Sequence, residues 1–328
     1  MHILLVNNTK IPVAQYGGTE RVIWWLGKQL VKMGHQVSYL VEAGSHCDFA
    51  KVYTLNASIP FNQQIPAGVD VVHINCKVNE LPTIPYIITV HGNSNEIIPL
   101  DINTVFVSKN HAARYGSESF VHNGIDPDDY GDPCLNKTRN YFHFLGDAAW
   151  RVKNVRGAIK IAEKANVTLR VIGGVRFNFN QGIRLTFNPR IRFDGMKGGA
   201  EKNAILSASK GLIFPVLWNE PFGISIVESL YFGCPVFGTP YGSLPEIVQP
   251  EVGFLSSRIP ALVDAVQHAD DFDKKKCHEY VLDYFSSKQM ALQYLVKYES
   301  VLNKHTLNPT APMLKQIQTE KFLPFTND

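Results

Sequence analysis

The chain has 328 residues, of which 45% are hydrophobic and 19% charged, with a formal net charge of +3. The length suits two domains of roughly 150 residues each, the composition excludes a disordered chain, and the near-neutral charge argues against a basic shell for nucleic acid. Charge is uneven along the chain, with 8 Lys+Arg against 12 Asp+Glu in residues 1–135 and 24 against 17 in residues 136–328. This split favours an anionic ligand held mainly by the second half. No apolar run approaches the ~20 residues of a membrane span, and no basic leader precedes the first apolar run. Cys47, Cys76, Cys134, Cys234 and Cys277 form no CxxC pair. An odd, unpatterned set of thiols points to a reducing compartment. The expectation is a cytoplasmic protein, with peripheral contact to the inner face of the membrane left open.

In chain order, residues 2–7 form a short apolar run that suits a buried parallel strand. A loop with Pro12 and Gly17-Gly18 follows, and then Val22, Ile23, Leu26, Leu30 and Met33 recur at helical spacing over 19–33. Gly34 ends that helix, and 35–41 reads as the second strand. Further strands are expected at 69–74, 86–90 and 104–107. Residues 126–139 are polar and carry Pro127, Gly131 and Pro133, the composition of a linker and hinge. Alternation then restarts with strands at 141–145, 168–172, 191–193, 211–215 and 235–238, and helices at 154–165, 201–208, 223–232 and across 260–304. Residues from Pro309 onward lack periodicity and read as an extended arm. Strand and helix alternating twice predicts an α/β protein with two Rossmann-like domains, each a parallel sheet with helices on both faces. The domains are expected at 1–135 and 136–290. Residues 291–328 form a helix end and tail that the reading allows to cross back to the first domain. Ligands in such folds bind at the carboxyl ends of strands, so a cleft between the domains is the expected site.

The most informative stretch is 218–246, WNEPFGISIVESLYFGCPVFGTPYGSLPE. Glu220 precedes a helix start, and Glu228 lies about two turns into the helix. Phe222, Gly223, Ile224 and Ser225 sit at the positive end of that helix, where exposed N–H groups suit an anion. Gly223 lets the backbone approach a ligand closely. On this reading Glu220 binds sugar hydroxyls and Glu228 a ribose diol. Taken alone, two glutamates seven residues apart also fit an ordinary solvated helix.

The whole stretch resembles the retaining glycosyltransferases of family 4, which have the GT-B fold. The similarity rests on Glu220-Pro221-Phe222-Gly223, Glu228, Phe232-Gly233-Cys234-Pro235, Thr239-Pro240 and Gly242-Ser243-Leu244-Pro245-Glu246. Five more blocks agree: Gly17-Gly18-Thr19-Glu20, Gly34-His35-Gln36-Val37, Thr89-Val90-His91-Gly92, His122-Asn123-Gly124-Ile125-Asp126 and Val252-Gly253-Phe254-Leu255. The resemblance spans roughly residues 1–300. One departure stands out. The family usually has an Arg six residues before the Lys of its early Lys-Asn or Lys-Gly pair. Here the pair is Lys153-Asn154, but that earlier position is Asp147. An acid there repels a diphosphate if it points inward. Either Arg151 or Arg176 supplies the charge, or the donor pocket is altered or lost.

The resemblance implies a retaining hexosyltransferase of polysaccharide or glycoconjugate biosynthesis. It would move a sugar from a nucleotide-diphosphate-sugar donor to an unknown acceptor hydroxyl on a glycan, a lipid-linked glycan or a small molecule. It implies His91, Glu220 and Lys153 as the catalytic set. Gly17, Gly18, Arg151, Phe222, Gly223, Ile224, Ser225 and Glu228 would be donor contacts. The nucleotide sugar is then a substrate, and no cofactor, metal or nucleic acid is expected. The sequence carries no HExxH, no paired ligand spacing, no GxGxxG after the first strand and no GxSxG elbow. The alternative is a catalytically silent GT-B relative that binds a nucleotide or sugar and serves a partner, a reading motivated by Asp147. Tyr16, Trp24 and Trp25 offer a stacking or interfacial surface, but the apolar face of their helix favours core packing for at least one tryptophan.

Overall fold

The computed structural model describes residues 1–13, 17–179, 182–315 and 317–328. In chain order the elements are β1 (His2–Val6), α1 (Gly18–Lys32), β2 (Gln36–Val41), β3 (Lys51–Thr54), β4 (Val71–Ile74), β5 (Tyr86–Val90), β6 (Thr104–Phe106) and α2 (Lys109–Arg114). The alternation restarts with β7 (Tyr141–Leu145), α3 (Val155–Lys164), β8 (Leu169–Ile172), β9 (Phe177–Asn178), β10 (Arg184–Leu185), β11 (Ile191–Gly195), α4 (Gly199–Ser207), β12 (Ser209–Phe214) and α5 (Ile224–Tyr231). It closes with β13 (Val236–Gly238), α6 (Leu244–Ile247), β14 (Gly253–Leu255), α7 (Ile259–Gln267), α8 (Lys274–Tyr284) and α9 (Ser287–Leu302). Short 3-10 turns, among them Arg151–Lys153, join several of these.

The chain divides into two compact units. The first comprises Met1–Val13, Gly17–Asp126 and Phe285–Gln318, and the second includes Pro127–Tyr284 and Thr319–Asp328. The sequence reading drew its boundaries at 135 and 290. Each unit is built on a parallel six-stranded sheet, ordered β3-β2-β1-β4-β5-β6 in the first and β11-β8-β7-β12-β13-β14 in the second. This is the α/β architecture expected from the alternation. The central strands are mostly apolar and β1 has every residue buried, because helices cover both faces of a parallel sheet.

In the first unit α9 is tied to the sheet by a buried polar network. His73 on β4 bonds the Tyr298 hydroxyl at 2.8 Å and the Thr89 hydroxyl at 2.8 Å, and Thr89 in turn bonds Tyr294. Burial pushes His73 down to about 3, so the ring is neutral. The backbone of Ile125 pairs with Phe285 and Ser287, and a Cβ on Gly124 would lie 2.2 Å from the Ser286 carbonyl oxygen. Only glycine permits that approach. Trp25 is buried, and Trp24 packs edge-on against Phe49 at 4.8 Å, so both tryptophans serve packing. Tyr16 lies outside the described residues.

The second unit has its own buried histidine. His143 on β7 bonds the hydroxyls of Ser209 on β12 and Ser229 on α5. Arg139, also buried, donates to the carbonyls of Ser209, Phe232 and Gly233 and so closes the C-terminal end of α5. The last ten residues return to this unit as an extended strap. Leu323 N–H donates to Leu217, Thr326 N–H to Ser257, and Ile259 N–H to Thr326.

Candidate active site

The segment from β12 to α5 carries the densest chemistry. After β12 the chain runs through Pro215 to Trp218, Asn219 and Glu220, then reaches Gly223 with φ +81 as the N-cap of α5. A Cβ at Gly223 would meet Ile226 at 2.9 Å and the Glu220 side chain at 3.2 Å, so the turn requires glycine on two counts. No side chain caps α5. Its first N–H groups, around Ile224 and Ser225, are therefore presented as an anion site of the kind helix starts provide.

Glu220 is 5% exposed. One of its carboxylate oxygens accepts from Lys153 Nζ at 2.6 Å and from the Trp218 indole N–H at 2.9 Å. The Lys153 ammonium lies 5.1 to 5.5 Å from the ring centres of Trp150, Phe214 and Trp218, a cation–π box that holds it in a partly desolvated position. The backbone of Glu220 is held as well. Its carbonyl accepts from Ser243 N–H, and the Ser243 hydroxyl donates to Phe222 O at 2.7 Å. Gly242, at φ +65, passes so close that a Cβ would lie 2.2 Å from Glu220 N. The Gly242–Glu246 block is thus a brace for the Glu220 loop.

Asn154 explains why asparagine follows Lys153. It takes the left-handed conformation at φ 56, caps α3 by accepting from Gly157 N–H, and donates to Pro215 O at 2.8 Å. Asparagine tolerates that conformation better than most residues. Asp147 follows Gly146 at the end of β7, and its carboxylate accepts from Ala149 N–H at 2.8 Å, an Asx turn. Among the described residues Asp147 forms no ion pair.

Arg151 stacks over Phe322 at 4.9 Å and lines a 340 Å³ pocket with Trp150, Arg156, Arg184, Leu217 and Phe322. Lys153 and Glu220 are not among its lining residues. Arg176 points elsewhere, donating to the carbonyls of Thr186, Asn188 and Ile191. Glu228 is 1% exposed and holds the Tyr130 hydroxyl at 2.6 Å and the Lys202 ammonium. It sits in a buried acid–base cluster beneath the helix start.

Three predicted residues belong to the first unit. Gly17 has φ +150, and a Cβ there would meet Val13 at 2.8 Å. Gly18 opens α1 with no side-chain cap at its N-terminus. His91 follows β5, and its Nε2 bonds Asn75 Oδ1 at 2.8 Å. Burial pushes the imidazole down to about 4, so it is neutral at ordinary pH. Asn75 extends β4 and reaches Val6 O on β1, so the carboxyl ends of β1, β4 and β5 converge at His91. The sequence reading missed Trp150, Trp218 and Asn75. Their signal was proximity: the two tryptophans stand three residues before Lys153 and two before Glu220 in a chain with only four. Among the described residues no group of three or more His, Cys, Asp or Glu is placed to hold a metal ion.

Residues 130–269 match the family model described as glycosyl transferases group 1. That region contains Lys153, Glu220, the start of α5 and Glu228. No curated protein matches the chain in sequence. Among solved structures the fold is similar to AviGT4, a glycosyltransferase involved in avilamycin A biosynthesis, at 20% identity and TM-score 0.75, covering 93% of this chain and 99% of that one. It is also similar to sucrose-phosphate synthase from Thermosynechococcus elongatus, at 18% identity, TM-score 0.69 and coverage of 92% and 99%. HepE of Anabaena, solved in complex with UDP-glucose, matches at 15% identity, TM-score 0.61 and coverage of 92% and 100%. The architecture is that of the GT-B glycosyltransferases. No helix among the described residues is long and apolar enough to cross a membrane.

Proposed function

We propose that the chain is a retaining glycosyltransferase of family 4 that moves a hexosyl unit from a nucleotide-diphosphate sugar to an acceptor hydroxyl without a metal ion. The observation that carries this reading is the Lys153–Glu220 pair, set beside the uncapped start of α5 inside the region that matches group 1 glycosyl transferases. The bond from the anomeric carbon to the diphosphate oxygen breaks, and a bond from the acceptor oxygen to the same carbon forms on the same face. The acceptor's proton passes to the leaving phosphate, so no separate base is needed. Negative charge grows on the diphosphate. Lys153 and the N–H groups around Ile224 and Ser225 stabilise it, which lowers the barrier because they are aimed there beforehand. Glu220 orients the sugar through its hydroxyls once Lys153 turns to the phosphate. Neutral His91 donates or accepts a hydrogen bond at the sugar without adding charge, and Gly17 and Gly18 let backbone approach the phosphates. Arg151 is assigned to the nucleotide portion of the donor, whereas Glu228, expected from the sequence to hold a ribose diol, is buried against Tyr130 and Lys202 and is assigned to supporting α5.

Asp147 favours a second reading, a silent relative that binds nucleotide or sugar without turnover. One experiment separates the two: proton NMR of a donor–acceptor panel with EDTA present. Transfer or donor hydrolysis giving first the anomer of the donor supports the proposal. Inversion overturns the retaining assignment, and activity restored only by divalent metal overturns metal independence. Nucleotide binding with no turnover supports the silent reading.

A further inference from the structure

Two hydrogen-bond donors of different kinds share one oxygen of Glu220. Its Oε2 accepts from the Lys153 ammonium at 2.6 Å and from the Trp218 indole N–H at 2.9 Å. Its other oxygen, Oε1, accepts no hydrogen bond among the described residues. Lys153 carries a full charge on a flexible stem, so an anion with more charge than a carboxylate can draw it away. The indole N–H is neutral and gains little by following such an anion.

The place of the indole is set independently of the ion pair. The segment before Trp218 is pinned by Asn154, which donates to Pro215 O at 2.8 Å, and by Thr239, whose hydroxyl donates to Val216 O at 2.6 Å. Leu217 N–H donates to Val152 O at 2.8 Å, and Leu217 O accepts from Leu323 N–H at 2.8 Å. The Trp218 ring packs against Trp150 with centres 4.9 Å apart, and its face lies 5.1 Å from the Lys153 ammonium. One ring thus turns its N–H edge to the carboxylate and its face to the cation.

A diphosphate at the start of α5 competes with Glu220 for Lys153. Glu220 is 5% exposed. With Lys153 as its sole donor, the departure of the ammonium would leave that carboxylate buried and uncompensated, which opposes the exchange. The indole N–H stays behind, keeps Oε2 satisfied and in place, and leaves Oε1 for a sugar hydroxyl.

We propose that Trp218 is a positioning residue that holds Glu220 while Lys153 passes from that carboxylate to the diphosphate of the nucleotide sugar. The proposal rests on the reading of Lys153 as a diphosphate ligand and deepens it, because the free site is then a locked pair that a diphosphate must open.

The test is isothermal titration in EDTA with inorganic pyrophosphate, UDP, GDP, ADP and dTDP. It uses wild type, Trp218→Phe, Glu220→Gln and the double variant, each shown to be folded by circular dichroism. Phenylalanine keeps a ring face for Lys153 and removes the N–H. Trp218→Phe is expected to weaken the tightest probe about fivefold or more, because the charged carboxylate loses its remaining hydrogen bond when Lys153 leaves. Glu220→Gln removes the competitor for Lys153 and is expected to tighten the same probe by about as much. With Gln at 220 there is no buried charge to hold, so adding Trp218→Phe should change affinity at most about twofold. A tryptophan that only supports the fold would weaken binding in both backgrounds. Trp218→Phe that binds like wild type, or that weakens both backgrounds equally, overturns the positioning role while the reading of the function stands. Glu220→Gln that binds no more tightly than wild type overturns the lock, without any change at the tryptophan. Wild type that binds none of the probes overturns the proposal together with the reading it rests on.

Discussion

Lys153 and Glu220 are joined across 2.6 Å, and the Trp218 indole donates to the same carboxylate oxygen. Both charged groups are largely withdrawn from water, with side chains 12% and 5% exposed. Removing one partner of such a pair leaves the other charge buried and uncompensated. Lys153→Ala or Glu220→Ala is therefore expected to lower turnover at least about tenfold, from loss of a charge-assisted contact, and to lower stability by about 1 to 3 kcal/mol. Steady-state kinetics and urea unfolding check this. Unchanged rates in both variants would contradict the assignment.

Asp147 brings a negative charge to the loop after β7, at the position where the family pattern that the sequence resembles has arginine. If a diphosphate binds beside this loop, Asp147→Asn removes a repulsion. At a partly exposed site such repulsion is on the order of 1 kcal/mol, a several-fold effect on affinity. Isothermal titration with nucleoside diphosphates is expected to show tighter binding for the variant. Equal or weaker binding would mean that the carboxylate faces away from the phosphates.

Gly242 and Gly34 form a matched pair of substitutions. Both have positive φ, +65 and +87, but a Cβ at Gly242 meets Glu220 N at 2.2 Å and one at Gly34 meets nothing within 4 Å. Gly34→Ala is expected to cost about 1 kcal/mol from backbone strain alone. Gly242→Ala must also displace the Glu220 loop, so it should lose most activity as well as stability. Similar activity in the two variants would show that the brace does not matter.

Four buried histidines tie stability to pH. His73, His111 and His143 are pushed down to about 3 and His91 to about 4, in each case chiefly by burial. The unfolded chain takes up protons near 6.5, where the folded one does not. Stability is therefore full above pH 6.5 and falls as pH drops toward 4, by at most about 1.4 kcal/mol per pH unit for each histidine. Melting temperature across that window should fall steeply, and His143→Asn should flatten the slope by about one proton. Because His91 stays neutral, its protonation should not produce an acid limb in the rate near pH 6 to 7.

The parallel-sheet framework was legible because buried parallel strands are short apolar runs punctuated by glycine, as at His2–Val6 and Gln36–Val41. Strand β3 escaped notice because it is an edge strand with no fully buried residue. Residues 253–255 entered the sequence reading only as a motif block, yet they form β14, paired with β13 at the sheet edge. The helical tail 260–304 read as one run and is broken into three helices, the last started by the Ser286 cap on Gln289 N–H. In the site, Lys153 and Glu220 were readable from the motif, but their contact was not, because 67 residues separate them. Strands β9 and β10, which pair antiparallel with Phe177 and Leu185 exposed, were passed over because periodicity gives a strand's two faces without saying which one is inward.

The C-terminal strap also bears on the site. Leu323 bonds the backbone of Leu217, three residues before Glu220, and Phe322 stacks under Arg151. Deleting residues 319–328 is expected to lower the melting temperature and to raise KM for the donor more than it lowers kcat. A truncated protein with unchanged KM would limit the strap to a structural role.

The most direct test of the central claim is a thermal-shift panel with UDP-, GDP-, ADP- and dTDP-sugars, with and without divalent metal, on wild type and Lys153→Ala. A ligand at 100 times its dissociation constant stabilises by about 2.7 kcal/mol. The account predicts a shift with one nucleotide class, independent of metal and lost in the variant. No shift with any donor, or a shift that Lys153→Ala leaves intact, would contradict it.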